Sequence, residues 1–141
     1  MRVLGIDFGE KRVGMAVSDP TGTLASPVGT LQRRRGKRPP LQALAQAATD
    51  YQVEKIVVGL PLTSQGEEDA WCREVRAVGA ALAERTGLAV VYVDERFSSR
   101  QAERRIRSSG LPRHRREEKD RVDAGAAAVI LQAFLDGAPP R

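Results

Sequence analysis

Cysteine is nearly absent from these 141 residues, and the single one, Cys72, excludes an intramolecular disulfide and any cysteine-built zinc cage. It lies in a helix-like segment without a partner motif and reads as a core thiol. Histidine is equally scarce. His114, the only one, falls in the charged stretch GLPRHRREEKD at 110–120, so a Ser-His-Asp triad or a histidine-rich zinc site has little to draw on. Aromatic residues make up 4% of the chain, too few for the rows of rings on which single-stranded nucleic acid stacks. No apolar run approaches the roughly 18 residues of a membrane span. The opening MRVLGIDFG enters a strand-like run without the charged-then-apolar layout of a secretory signal, so a soluble, cytoplasmic protein with no membrane partner is expected. No GxxxxGK[ST] sequence offers a Walker phosphate loop. The length suits one domain with a real core, expected over residues 1–136, with 137–141 as a flexible tail.

Charge is present in quantity, and its placement says more than its sum of +5. Arg33, Arg34, Arg35, Lys37 and Arg38 put +5 into six positions, and residues 96–121 hold ten Lys/Arg against four Asp/Glu, which leaves the rest of the chain at −6. Two basic blocks on an acidic body are the footprint of a polyanion partner, because each cation set against a phosphate releases condensed counterions. A solvated charged surface is the competing reading, and charge alone does not separate the two.

The first thirty residues read as three short strands, Val3 to Phe8, Val13 to Ser18 and about Thr23 to Leu31, punctuated by glycine and proline as in an antiparallel meander. Leu41, Leu44, Ala45 and Ala48 then recur at helical spacing behind Pro39 and Pro40. Glu54 to Leu60 is a short apolar strand. Trp71, Val75, Val78 and Leu82 mark the buried stripe of a helix closed near Gly87, and Leu88 to Val93 is a further strand. Strand, helix, strand at this spacing is a right-handed crossover, so the last two strands are expected to be parallel. Ser98 and Gln101 have the spacing of a capping box opening a short helix, 110–120 reads as a mobile loop, and a last helix is expected over about Val122 to Leu135. The fold class is therefore α/β: a mixed five-stranded sheet, three antiparallel strands and then two parallel ones, flanked by helices.

Three acids stand where acids are costly. Asp7 interrupts the apolar first strand between Ile6 and Phe8, although it could simply close the strand end against the Gly9 turn. Asp94 and Glu95 end the apolar run AVVYV at the carboxyl edge where open α/β sheets bind ligands, and alternation sends them to opposite faces, so only one can join Asp7. Asp123 heads a stripe of Ala126, Ala127, Ile130, Leu131 and Phe134 on one helical face; a first-turn acid stabilised by the helix dipole is the plainer reading. If Asp7, one of the 94/95 pair and Asp123 converge, they form an oxygen-ligand site for Mg²⁺ or Mn²⁺, since clustered carboxylates without a cation repel one another. Two cations about 4 Å apart could activate water for phosphodiester hydrolysis.

The stretches GIDFGEKRVGMAVSD at 5–19, IVVGLPL at 56–62, VDERFSSRQAE at 93–103 and KDRVDAGAAAVILQAFL at 119–135 together resemble the YqgF/RuvX family of pre-16S rRNA nucleases and Holliday-junction-resolvase-like proteins. The resemblance runs over nearly the whole chain. It implies an RNase H-like fold, and it implies Asp7, Glu95 and Asp123 as catalytic and metal-ligating residues, choosing Glu95 over Asp94. It further implies that Lys11, Arg12 and Arg96 border the site, where positive charge could hold the scissile phosphate; pairing with nearby acids, or plain hairpin exposure for Lys11 and Arg12, is the alternative. Flanking phosphates would be gripped by the basic blocks, with Arg33, Arg34 and Arg35 in the first and Arg96, Ser98 and Lys119 in the second. The family often has Thr-Ser after its DER triplet, whereas here Phe97 is followed by Ser98 and Ser99.

Nucleic acid, as RNA or branched DNA and including ribosomal precursor particles, is the expected partner, with the chain acting as a monomer or homodimer. Two other classes compete. Sugar kinases, actin and heat-shock ATPases share a similar Gly-Ile-Asp-Phe-Gly loop, but need two such domains around a nucleotide. A non-catalytic RNA-processing factor would explain the basic blocks equally well and would not need the three acids to converge.

Overall fold

The computed structural model describes residues 1–33, 38–96 and 115–141, and of 115–123 only the backbone. The opening run is apolar on both faces of the strand, and β1 (Val3–Phe8), β2 (Arg12–Ser18) and β3 (Ala25–Gln32) form the antiparallel meander. The β1–β2 turn is tight because Gly9 donates its N–H to the Arg12 carbonyl at 2.9 Å; a Cβ on Gly9 would stand 2.7 Å from that same oxygen. Helix α1 (Leu41–Asp50) leads to β4 (Lys55–Leu60), which pairs with β1 in parallel. Helix α2 (Ala70–Thr86) crosses to β5 (Ala89–Asp94), parallel to β4. It begins where Asp69 accepts from the Cys72 N–H and ends at Gly87 in the left-handed region, the two capping devices that leave fewest orphan backbone groups. The five strands make one sheet in the order β3-β2-β1-β4-β5.

Alternation divides the strands between two cores. Leu4, Ile6 and Phe8 of β1 and Ile56, Val58 and Leu60 of β4 face α1 and α2, packing on Leu44, Ala48, Cys72, Val75, Val78 and Leu82. Val3, Ala16, Val57 and Val93 point the other way, onto Ala127, Ala128, Ile130 and Leu131 of α3 (Arg115–Leu135). Gly5 lets this helix come close: a Cβ there would lie 2.7 Å from Leu131 Cβ and 3.1 Å from the Ala127 carbonyl.

Two differences from the sequence reading bear on function. Helix α3 starts at Arg115, where a loop to residue 120 was expected, so Asp123 stands two turns inside the helix and not at its head. The segment RREEKDR is rich in straight-chain charged residues with good helix propensity but has no apolar stripe, so periodicity alone could not register it. Residues 137–141, read as a fraying tail, make contacts: Ala138 N–H meets the Ala133 carbonyl at 2.9 Å and Arg141 N–H meets Tyr92 O at 2.8 Å, on the outer edge of β5. The short helix expected at Ser98 lies outside the described residues. No helix among the described residues is long and apolar enough to cross a membrane.

Candidate active site

Asp7 is the last residue of β1 to face α3, and Glu95 follows β5 on that same face, while Asp94 turns to the other. The strand between them is β4, and at the matching level it carries Gly59, paired with Val93. The missing side chain is what lets the acids meet. Glu95 Oε2 lies 2.8 Å from where a Gly59 Cβ would stand, with Ile130 of α3 filling the rest of that space. From there the Glu95 carboxyl reaches a side-chain hydrogen bond with Asp7.

The electrostatics follow from this placement. Burial first, then the charge of Asp7 and the hydrogen bond to it, push the Glu95 carboxyl up to about 8. Asp94 behaves in the opposite way. Burial opposes its ionisation, but hydrogen bonds from Arg96 outweigh that and hold its carboxyl below the usual carboxylate range.

The direction of α3 places residue 123. Phe134 lies under Lys55 at the start of β4, and Ile130 lies at Gly59 further along it, so the helix runs against the strand. Two turns back from Ile130 on the same helical face, the backbone of Asp123 lies beyond Gly59 toward the edge that holds Asp7 and Glu95. Among the described residues no group of three or more His, Cys, Asp or Glu side chains gathers, and the side chain of Asp123 is outside them.

The expected phosphate ligands are distributed unevenly. Arg12 is half-buried, and alternation from Val13 turns it to the α3 face that holds Asp7. Lys11 is exposed in the β1–β2 turn. Arg33 goes elsewhere: its guanidinium lies 4.7 Å over the Phe8 ring and 5.6 Å from Trp71, whose ring stacks on Phe8, and its Nη1 donates to the Gly9 carbonyl at 3.4 Å. Arg96 is engaged with Asp94 on the face away from Glu95. Arg34, Arg35 and Ser98 lie outside the described residues, as does the side chain of Lys119. Sequence reasoning passed over Gly59; a glycine inside an apolar strand, at a point where something must approach the backbone, was its only signal.

The sheet thus runs 3-2-1-4-5 with a hydrogen-bonded carboxylate pair at its C-terminal edge, and the helix packed on that face carries a further acid in its sequence. The profile described as "RuvX: Holliday junction resolvase" matches residues 1–137. The chain belongs to the RuvX family. Among RuvX relatives, a "Putative pre-16S rRNA nuclease" from Anaeromyxobacter sp. (strain K) is 44% identical over 140 residues, covering 99% of this chain and 100% of the relative. A protein of the same name from Syntrophomonas wolfei is 44% identical over 137 residues, covering 97% and 95%. The fold is also that of a solved RuvC from Thermus thermophilus bound to a Holliday junction substrate, with a TM-score of 0.59, 18% identity and coverage of 100% of this chain and 99% of that one. The RuvX family is one of nucleases, so the enzyme class is hydrolysis of phosphodiester bonds.

Proposed function

We propose that the chain is a divalent-metal-dependent nuclease that hydrolyses phosphodiester bonds in structured RNA, trimming the ends of 16S rRNA precursors in the cytoplasm. The observation that carries this reading is the Asp7–Glu95 pair, brought into hydrogen-bonding reach through the space Gly59 leaves, where burial and the Asp7 charge push the Glu95 carboxyl up. A pair of this kind releases its proton and gains a large stabilisation when a cation replaces it. The donors are all hard oxygens in a half-buried site, which fits Mg²⁺ or Mn²⁺ and not a soft metal. Asp7 and Glu95 would hold the metal from the sheet, with Asp123 completing the set from α3. When bound, the metal supplies an activated water and charge stabilisation for the leaving oxygen.

The chain's own residues do the rest. Glu95, ionised, orients the ligand set from one side and Asp7 from the other, while Ile130 closes the space beneath them against bulk water. Arg12, on the same face, would hold a phosphate oxygen, and Lys11 at the turn would extend that charge outward. The basic blocks at 33–38 and 96–121, including Arg34, Arg35, Ser98 and Lys119, would grip flanking phosphates and make binding steeply salt-dependent. The rRNA assignment rests on the names of relatives that match this chain end to end. Resolution of branched DNA is the second reading, favoured by the family's description.

A cleavage panel separates them: precursor-rRNA-end mimics, single-stranded RNA and a four-way DNA junction, each with Mg²⁺, Mn²⁺ or EDTA, using the wild type and Asp7→Asn. The proposal expects metal-dependent cutting of the rRNA mimics that Asp7→Asn abolishes. Cutting confined to the junction would move the substrate to DNA. No cutting alongside tight, salt-sensitive binding would make the chain a non-catalytic RNA-processing factor.

A further inference from the structure

We infer that Asp94 and Arg96 are positioning residues, which clasp the backbone on either side of Glu95 and so aim its carboxylate at Asp7. The inference rests on the metal-site reading above and gives Arg96 a task other than holding phosphate. Asp94 is the last β5 residue paired to β4, opposite Leu60, and the Glu95 N–H continues that ladder by donating to the Leu60 carbonyl at 3.2 Å. One residue later the ladder ends, and a glutamate there would ordinarily swing freely. Here the Asp94 carboxylate takes over: its Oδ1 accepts from the Arg96 backbone N–H at 3.0 Å, closing a local turn around Glu95. The same carboxylate receives the Arg96 guanidinium along its edge, Nε at 3.1 Å from Oδ1 and 3.0 Å from Oδ2, and Nη2 at 2.7 Å from Oδ2. This planar two-point contact fixes orientation as well as distance.

The third nitrogen ties the clasp to the neighbouring loop. Arg96 Nη1 lies 3.5 Å from the Ser64 carbonyl, and Gly66, in the left-handed region at φ +81°, brings its backbone so close that a Cβ would stand 3.3 Å from Nη1. That loop is itself closed by Gly66 N–H on the Thr63 carbonyl at 2.8 Å and by Glu67 N–H on Thr63 Oγ1 at 3.0 Å. All three guanidinium nitrogens therefore lie against Asp94 or the 63–66 turn, on the face opposite Glu95. Arg96 already stands in a helical turn, so the chain leaves the strand at Glu95, and its backbone is held on both sides: by its own N–H on the Leu60 carbonyl before the turn and by the Asp94 carboxylate on the Arg96 N–H after it. An acid beside the ligand and an arginine beside that acid thus act through Glu95, much as the outer hydrogen-bond partners of metal ligands orient them.

The test measures Mn²⁺ affinity by calorimetry and by the electron spin resonance of free Mn²⁺, together with kcat, KM and the salt slope of RNA binding. The variants are Asp94→Ala, Asp94→Asn, Arg96→Ala, Arg96→Lys and the Asp94→Ala/Arg96→Ala double. Positioning predicts that Asp94→Ala and Arg96→Ala each weaken Mn²⁺ binding by roughly 10- to 100-fold and lower kcat with little change in KM or salt slope. It also predicts that the double variant is no worse than either single. Asp94→Asn, which keeps the backbone acceptor and the volume, should lose less than Asp94→Ala, and Arg96→Lys should not restore wild-type affinity. If Arg96→Ala raises KM and flattens the salt slope while Asp94→Ala is silent, Arg96 is a phosphate ligand and the clasp is overturned. Wild-type Mn²⁺ affinity in a folded Asp94→Asn or Asp94→Ala protein overturns it too. Failure of the unaltered chain to bind Mn²⁺ removes the metal site itself, and the clasp with it.

Discussion

In the metal-free chain, raising the pH from 5 to 9 should strip away stability that a Glu95→Gln variant retains. The folded state holds the Glu95 carboxyl at about 8 against an ordinary 4.5, through burial, the Asp7 charge and the hydrogen bond that protonated Glu95 gives to Asp7. A folded value above the unfolded one means that the native state keeps an extra proton between those limits. The associated stability is therefore whole below about pH 4.5 and is lost as the pH rises through about 8. The slope within that window is about 1.4 kcal/mol per pH unit, which sets a ceiling of about 5 kcal/mol; partial solvent access brings the expected loss to about 2–3 kcal/mol. Urea denaturation in EDTA across this range, wild type against Glu95→Gln, isolates the effect, because every other titrating group is common to both. The glutamine amide can still donate to Asp7, so the variant should overtake the wild type in stability above neutral pH. Mg²⁺ or Mn²⁺ at pH 8 should rescue the wild type and not the variant. Parallel pH profiles for the two proteins would refute the claim that Glu95 and Asp7 repel.

Gly59→Ala should lose metal binding and cleavage together, since its methyl group would enter the space of Glu95 Oε2 and Ile130, at a stability cost of about 1–3 kcal/mol read by urea titration. Gly5→Ala pushes α3 away from β1 by crowding Leu131 and the Ala127 carbonyl; a melting temperature lower by roughly 4–8 °C and a drop in kcat are expected, because that helix carries Asp123. RNA affinity should fall by at least ~10³ between 50 and 200 mM salt if the basic blocks make six or more phosphate contacts, measured by fluorescence anisotropy; a flat response would remove them from the interface.

Much of this architecture was legible in the sequence because β1 and β4 are apolar runs bounded by glycine and proline and the stripes of α1 and α2 repeat at helical spacing. Val3 to Phe8 alternates between two cores, and Trp71, Val75, Val78 and Leu82 repeat at helical spacing, so the succession of elements and the mixed sheet type followed from pattern, whereas the strand order within the sheet did not. The N-terminal half of α3 was not legible, since the sequence RREEKDR carries no apolar stripe for periodicity to register. Of the candidate site, alternation separates Asp94 from Glu95, but it cannot say what the far residue does. The Asp94–Arg96 contact and the Gly59 opening are properties of three-dimensional approach, and neither leaves a periodic trace. Arg33 shows the same limit: within a run of like charges nothing marks the one that would stack on Phe8 and Trp71.

The strand order also sets when the carboxylate pair comes into being. The β1–β2 hairpin closes through a turn of a few residues and can form as soon as it is made, whereas Glu95 reaches Asp7 only after the chain has laid β4 beside β1 and returned through α2 to lay down β5. Long-range closure of this kind comes late in folding. Asp7 lies near the start of the chain and Glu95 well into its second half, so a chain still emerging from a ribosome carries Asp7 before the residue it pairs with has been made.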